Sequence, residues 1–233
     1  VRNRQNTVIN GYKTKKRRKD MLVAPSMLSA DFGNMARDVK AIEKWGADIV
    51  HCDVMDGVYV PNITFGMPMV KALKANSNLT IDAHLMITQP EKYVGAFCDF
   101  GADVVTFHPD ASKDVQGAID IIKSKGKKCG LVVNADRPFS IVEPYLSQID
   151  MLVVMTVQAG FGGQKFMPDR LDIVRMGAEE RKNNGYRYLI EVDGGVSESN
   201  VSQIKAAGAD IVVAGSAVFK SENPELTIRK LHA

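Results

Sequence analysis

The chain is short of the features that mark several common protein classes. Its three cysteines, Cys52, Cys98 and Cys129, are odd in number, scattered and not at metal-ligand spacing. That pattern excludes a disulfide framework and suits buried, reduced thiols in the cytoplasm. No run approaches the roughly 18 apolar residues of a membrane span. The first twenty residues contain neither a serine nor an apolar stretch, so they read as neither a secretory signal nor a serine-rich transit peptide. No glycine-rich fingerprint follows the first strand-like run, which counts against an open dinucleotide-binding sheet.

What is present is enough for a large single core. The 233 residues are 45% hydrophobic, and α/β barrels reach this length as one domain. The net charge of +3 is unevenly distributed. "VRNRQNTVINGYKTKKRRKD" holds eight basic residues against one aspartate, a surplus of seven, so the remaining body stands at −4. Residues 1–20 are therefore expected to form a disordered, non-catalytic basic extension, and 21–233 the folded domain. Nucleic-acid binding through "KTKKRRK" is the remote alternative, one that salt or deletion of the tail would abolish.

A phrase recurs along the body: "GADIVHCD" from Gly46, "GADVVTFH" from Gly101 and "GADIVVAG" from Gly208. Each closes a helix-like segment and opens a strand-like one, with glycine at the helix C-cap. Strand-like runs begin near Leu22, Asp48, Thr80, Asp103, Lys128, Met151, Tyr188 and Asp210. Near-continuous aliphatic runs such as "MLVVMTV" fit a parallel sheet covered by helices. Eight βα units predict a (β/α)8 TIM barrel, with an open doubly wound sheet second.

In such a barrel, chemistry belongs at the C-terminal ends of strands. The second strand ends with His51, Asp53 and Asp56, the third with His84, the fourth with His108 and the seventh with Asp193. Period two puts His51, Asp53 and Met55 on one face and sends Cys52 to the other. Two histidines and two aspartates at one mouth predict a metal site with nitrogen and oxygen donors for zinc, iron(II), manganese or cobalt. His108 reads equally as support for that site or as structural. Asp56 reads as a turn former and His232 as uninvolved.

Glycine marks a second element. "QAGFGGQKF" follows the sixth strand, "DGG" ends the seventh and "AGSAVF" ends the eighth. Backbone N–H groups exposed by such turns at the last strands predict a phosphate cradle. Metal on one side and phosphate on the other point to a small phosphorylated sugar. Asp53 and Asp193 could then work opposite faces of one carbon.

The motifs "APSMLSADF", "HCDVMDGVYVPNITFG", "DAHLMI", "TFHPDA", "MTVQAGFGGQKF", "IEVDGGV" and "VAGSAVF" span nearly the whole barrel. Through them the chain from about Leu22 onward closely resembles the ribulose-phosphate 3-epimerase family. The resemblance implies metal-dependent interconversion of D-ribulose 5-phosphate and D-xylulose 5-phosphate in the pentose phosphate pathway, through a cis-enediolate. It implies one divalent ion per subunit held by His51, Asp53, His84 and Asp193, with Asp53 as proton acceptor and Asp193 as donor. Ser26 and His84 would contact substrate near the metal. Gly160, Phe161, Gly162, Gly163, Gly194, Gly195, Gly215 and Ser216 would surround the phosphate end. Met55, Met86 and Met155 would surround the metal, although spacing alone makes them core residues. A cytoplasmic homo-oligomer acting on a phosphorylated ketopentose, away from membranes and nucleic acid, completes what the family implies.

Two departures from the family's pattern stand out. "DGVYVPN" carries Val58 and Tyr59 where His-Phe is usual, and Gln158-Ala159 replaces a proline before "GFGGQ". The nearest alternative is a 3-epimerase of another ketose phosphate such as D-allulose 6-phosphate, whose enzymes tend toward "VDGS" and "GFAGQ". A decarboxylase of the orotidine-phosphate type would want D-x-K-x-x-D, which is absent. A catalytically silent interaction module would not need an intact ligand set.

Overall fold

The computed structural model describes residues 21–232, together with two short strands, Thr7–Ile9 and Tyr12–Thr14, that pair antiparallel. The rest of the basic extension expected over residues 1–20 lies outside the described residues. The eight strands of the body are β1 (Leu22–Pro25), β2 (Ile49–Met55), β3 (Thr80–Met86), β4 (Val104–Phe107), β5 (Lys128–Val133), β6 (Met151–Met155), β7 (Leu189–Asp193) and β8 (Ile211–Ala214). They form one parallel sheet in which each pairs with its chain neighbour, and β8 pairs with β1. The remaining seam, β1 to β2, is closed by a single parallel bridge between Ser26 and His51. Among the described residues no helix is long and apolar enough to cross a membrane.

The strand period creates two cores. Val50, Cys52 and Val54 of β2 point outward into the layer shared with the helices. Ile49 and Met55 point inward, where they join Leu22, Ala24, Val104, Val132, Met151, Val153, Leu189, Ile211 and Val213. Among the described residues six α-helices lie on the connections between strands, and two more, Ser216–Phe219 and Pro224–Leu231, follow β8. The first is α1 (Met35–Lys44), where Val39 and Ile42 are fully buried and one apolar stripe faces the strands.

One crossover differs from the eightfold pattern. Between β5 and β6 the chain makes two 3-10 turns, Phe139–Ile141 and Glu143–Tyr145, instead of an α-helix. Pro138 and Pro144 fall within this segment. Each removes a backbone donor and crowds the preceding turn, so a continuous helix there would lose two hydrogen bonds.

The recurring Gly-Ala-Asp phrase now has a physical explanation. Its glycines, Gly46, Gly101 and Gly208, all have φ near +100°, a conformation that side chains rarely adopt. Each aspartate then grips the preceding strand by two bonds. Asp48 accepts the Val23 N–H at 3.0 Å while its own N–H donates to Val23 O at 3.0 Å. Asp103 does the same with Ile81, and Asp210 with Ile190. Asp150, in "QID", repeats the clamp on Cys129. The four clamps thus join β1 to β2, β3 to β4, β5 to β6 and β7 to β8 at their N-terminal ends. His232 sits on Asp48 at 2.8 Å, at the opposite end of the barrel from the strand-end cluster, as expected of a residue outside the site.

Asp103→Ala leaves the Ile81 N–H without its side-chain acceptor and frees Lys74 from a 2.6 Å ion pair. The expected cost is about 1–3 kcal/mol, read as a lower urea midpoint. Asp103→Asn, which keeps an acceptor oxygen, recovers part of the loss. An unchanged midpoint for the alanine variant would remove the clamp from the account of the fold.

Candidate active site

The inward positions of β2, β3, β4 and β7 are polar where the other strands carry aliphatic residues. His51 and Asp53 come from β2, Asp82 and His84 from β3, His108 from the end of β4, and Glu191 and Asp193 from β7. All seven are buried, five of them completely. His51 Nε2 lies 3.4 Å from Asp53 Oδ1 and 3.6 Å from Asp193 Oδ2. His84 Nδ1 lies 3.4 Å from Asp193 Oδ2 and 3.8 Å from Asp53 Oδ1. These four residues each bring one donor atom within 4.8 Å of the others.

The two ring nitrogens facing this cluster are buried and have no hydrogen-bond partner. Such atoms are costly unless something satisfies them. The opposite nitrogens are held: His51 Nδ1 is 2.8 Å from Asp82 Oδ2, and His84 Nε2 is 2.9 Å from His108 Nε2. Two lone imidazole nitrogens and two carboxylate oxygens, backed by partners on the far ring atoms, are a donor set that could hold a metal ion.

The electrostatics follow from crowding. Burial drives the pKa of His108 well below its ordinary value, and neighbouring His84 adds to the effect, so His108 is neutral. Burial, with Asp82 beside it, pushes Glu191 up to about 8, so this carboxyl holds a proton at neutral pH. Burial works against charge on His51, but Asp53, Asp82 and Glu191 outweigh it and raise its pKa well above normal. Burial would likewise raise Asp53, but His51, His84 and Ser26 bring it down to about 2, leaving it a carboxylate. Ser26 Oγ donates to Asp53 Oδ2 at 2.5 Å.

Above the cluster opens a cavity of about 400 Å³. Asp53, Asp193 and Ser26 reach its wall, as do Met55, Met86 and Met155. His51 and His84 are fully buried and do not. The far end of the wall is formed by Gly160, Phe161, Gly163, Gly194, Gly195, Gly215 and Ser216. Gly162 is the one member of the expected cradle set back from it; a side chain there would approach Leu28 and Ser29. Gly194 and Gly195 are required by space as well as conformation. Their φ values are +120° and +66°, and a Cβ would fall 2.4 Å from Val157 and 2.6 Å from the Phe166 backbone.

The two departures from the family's pattern are accommodated by new contacts. The Tyr59 ring lies 4.8 Å from the His108 ring, and its hydroxyl donates to Asp110, which pairs with Arg137 at 2.6 Å. The loop at Gln158-Ala159 is tied by the Gln164 amide, which donates to the carbonyls of Gln158 and Phe161. Asn62 Nδ2 donates to Gly160 O at 2.9 Å, joining this loop to the one after β2. Asp56 accepts from the N–H groups of Val58, Tyr59 and Thr88, the turn-forming role expected of it.

Sequence reasoning missed Asp82 and Glu191. Both stand two residues before an assigned ligand position, so strand period alone would have placed them on the inward face. It also missed Ser197, Gln164 and Lys220 on the cavity wall, which no local pattern marks. His108 proves to support His84.

Comparison with known proteins agrees with this arrangement. The family model described as "Ribulose-phosphate 3 epimerase family" matches residues 22–219. The ribulose-phosphate 3-epimerase of Bacillus subtilis is 41% identical over 213 residues, covering 90% of this chain and 97% of that protein. The ribulose-phosphate 3-epimerase of Escherichia coli K12 is 42% identical over 217 residues, covering 92% and 96%. The crystal structure of 3-hexulose-6-phosphate synthase from Salmonella typhimurium superposes with a TM-score of 0.69 at 23% identity, covering 91% of this chain and 97% of that one, a likeness of fold alone. With the match running through the strands that carry the cluster and the glycine turns, this chain belongs to the ribulose-phosphate 3-epimerase family.

Proposed function

We propose that this protein inverts C3 of D-ribulose 5-phosphate to give D-xylulose 5-phosphate, and the reverse, with Asp53 and Asp193 as the acid–base pair. One observation carries the assignment of roles: among the described residues that line the cavity, Asp53 and Asp193 are the only carboxylates. The C3–H bond lies next to the C2 carbonyl. One carboxylate removes the proton, the electron pair passes into a C2–C3 enediolate, and the other carboxyl group returns a proton to the opposite face. The roles exchange in the reverse direction. Ser26, donating to Asp53 Oδ2, holds that carboxylate in its orientation at the cavity wall.

His51, Asp53, His84 and Asp193 are the residues that would hold a divalent zinc, iron(II), manganese or cobalt ion, and their unsatisfied nitrogens fit it. When bound, such an ion supplies positive charge beside the substrate oxygens on which negative charge develops. Asp82 and His108 set the rings for this task. With Nδ1–H of His51 donated to Asp82, Nε2 keeps its lone pair toward the cluster. With Nε2–H of His84 donated to neutral His108, Nδ1 keeps its own. The glycine turns take the phosphate at the far end of the cavity, and the three methionines exclude water from the reacting carbon.

Acid–base catalysis supplies roughly 10²–10⁴-fold, so Asp53→Asn and Asp193→Asn should each lower kcat by at least about that factor. Each variant should still exchange the C3 proton with D₂O from one epimer only, the one whose C3–H faces the surviving carboxylate. That one-sided exchange assigns the faces. If wild-type protein supplied with each of the four metals exchanges no C3 proton of ribulose 5-phosphate, the reading fails, and exchange with a six-carbon ketose phosphate instead would redirect it.

Asp82→Ala should weaken binding of one divalent ion per chain by about 10–100-fold, as loss of a ligand's far-side partner does. Competition against a chelator with the purified, folded variant measures this without reference to turnover. Unchanged affinity would mean that His51 does not need Asp82 to present Nε2.

A further inference from the structure

The cavity wall contains one side chain that the chemistry above leaves unused. Lys220 follows Phe219 at the end of the helical turn Ser216–Phe219, and it borders the end of the cavity formed by Ser197, Gly215, Ser216 and Ala217. Among the described residues it is the only cationic side chain lining the cavity. It also borders a shallow groove running outward from that end past Ser199, Ser221 and Thr227. Its backbone is held by the N–H bond to Ser216 O at 3.0 Å, while its side chain is exposed.

Lys220 is also uncommitted. Three lysines of the body are held by carboxylates, Lys74 by Asp103, Lys125 by Asp99 and Lys230 by Glu198; what sets Lys220 apart is that it is unpaired and also borders the cavity. Glu198 lines the outer groove and is the acidic side chain that could have neutralised Lys220. It is occupied instead by Lys230 at 2.6 Å and by the Thr227 hydroxyl, and the Lys230 contact holds its carboxyl below the usual range. Among the described residues no carboxylate pairs with Lys220.

A phosphate ester is a dianion at neutral pH, and among the described residues lining the cavity Lys220 is the one side chain that offers it a full positive charge. Backbone N–H groups of glycine turns give direction to a phosphate but no net charge. A single unpaired cation at the rim changes the sign of the local field where the phosphate must enter.

We propose that Lys220 is a phosphate-recognising residue, which draws the anionic end of the substrate into the glycine cradle and holds it there from the solvent side. This inference rests on the reading of the cavity as a sugar-phosphate site. Lys220 touches neither carboxylate nor the reacting carbon, so its contribution is the same in the ground state and the transition state. It belongs to KM and to association, and it selects phosphorylated ketoses over neutral ones.

The test uses full-length, metal-loaded enzyme and three variants: Lys220→Ala, Lys220→Arg and, as a control for general surface charge, Lys182→Ala. Lys182 is exposed in the last turn of the helix Leu171–Asn184 and lines neither the cavity nor the outer groove. Lys220→Ala should raise KM for ribulose 5-phosphate about 5–20-fold with kcat held within about twofold, the size expected of one charge-assisted contact discounted for its exposure. Inorganic phosphate, used as a competitive inhibitor, should lose affinity by a similar factor. Raising the ionic strength should lower kcat/KM of the wild type more steeply than that of Lys220→Ala. Lys220→Arg should restore most of the affinity. Wild-type epimerisation with unchanged KM, phosphate inhibition and salt response in Lys220→Ala would overturn the role of Lys220 alone. An equal rise in KM for Lys182→Ala would overturn it too, by tracing the effect to bulk charge. Absence of epimerisation in the wild type would instead overturn the sugar-phosphate reading beneath it.

Discussion

The 2.8 Å contact between His51 Nδ1 and Asp82 Oδ2 is the interaction on which the polar interior depends. It sits inside a barrel whose other strands carry aliphatic inward residues, and neither His51 nor Asp82 exposes any surface. Burying charge in such a place costs several kcal/mol per ion unless it is balanced. The contact fixes the imidazole, and the fixed imidazole turns its other nitrogen toward Asp53 and Asp193. His108 does the same for His84 from the opposite side. Each inward ring therefore has one satisfied and one open nitrogen, and both open nitrogens face the same point. Chance packing of four buried ionisable groups would not leave their unsatisfied atoms convergent.

Charge balance extends the same logic through the cavity. Four carboxyl groups, those of Asp53, Asp82, Glu191 and Asp193, crowd one end of the barrel. Glu191 relieves part of the repulsion by keeping its proton. His51 relieves more by its raised affinity for one. A divalent ion at the convergent atoms would take over the task His51 otherwise performs, freeing the ring to act as a neutral ligand. The proposed phosphate end would have the reverse problem, since its ligand is the anion, and there the unpaired Lys220 would supply the compensation. On that reading negative charge is met by a cation at each end, while the methionines between them contribute only an apolar wall.

Much of this was legible in the sequence because strand period is rigid. Once Ile49, His51, Asp53 and Met55 alternate with Val50, Cys52 and Val54, the pleat forces the first set inward. The same rule covers Asp82 and Glu191, which lie one inward position below the strand-end residues His84 and Asp193. The fifth crossover was harder to read, since Pro138 and Pro144 spoil a helix without interrupting the apolar pattern of Phe139, Ile141, Val142 and Leu146 that makes it look like one. Lys220 and Ser197 were illegible for a different reason. Their places on the wall are set by how the loops after β7 and β8 lie against each other, and no spacing within either loop encodes that. Gly162 shares a motif with Gly160 and Gly163, and a side chain there would approach Leu28 and Ser29.

The loop after β6 shows how a site can keep its geometry when a family's usual rigid residue is missing. Proline would restrict the approach to Gly160 by fixing one backbone angle. Here Gln158-Ala159 leave that angle free, and restraint comes from side chains instead. Gln164 closes the loop on itself, and Asn62 ties Gly160 to the segment after β2. That segment is in turn held by Thr64, whose hydroxyl donates to the Asp53 carbonyl at 2.6 Å and accepts the Met55 N–H. The tether therefore runs from the cradle loop to the strand that carries the proposed base. Hydrogen bonds of this kind can break and reform as substrate enters, whereas a proline ring cannot. The loop bearing Phe161 is thereby positioned by contacts that report on the same strand as Asp53, so that placing the phosphate and placing the base become parts of one arrangement.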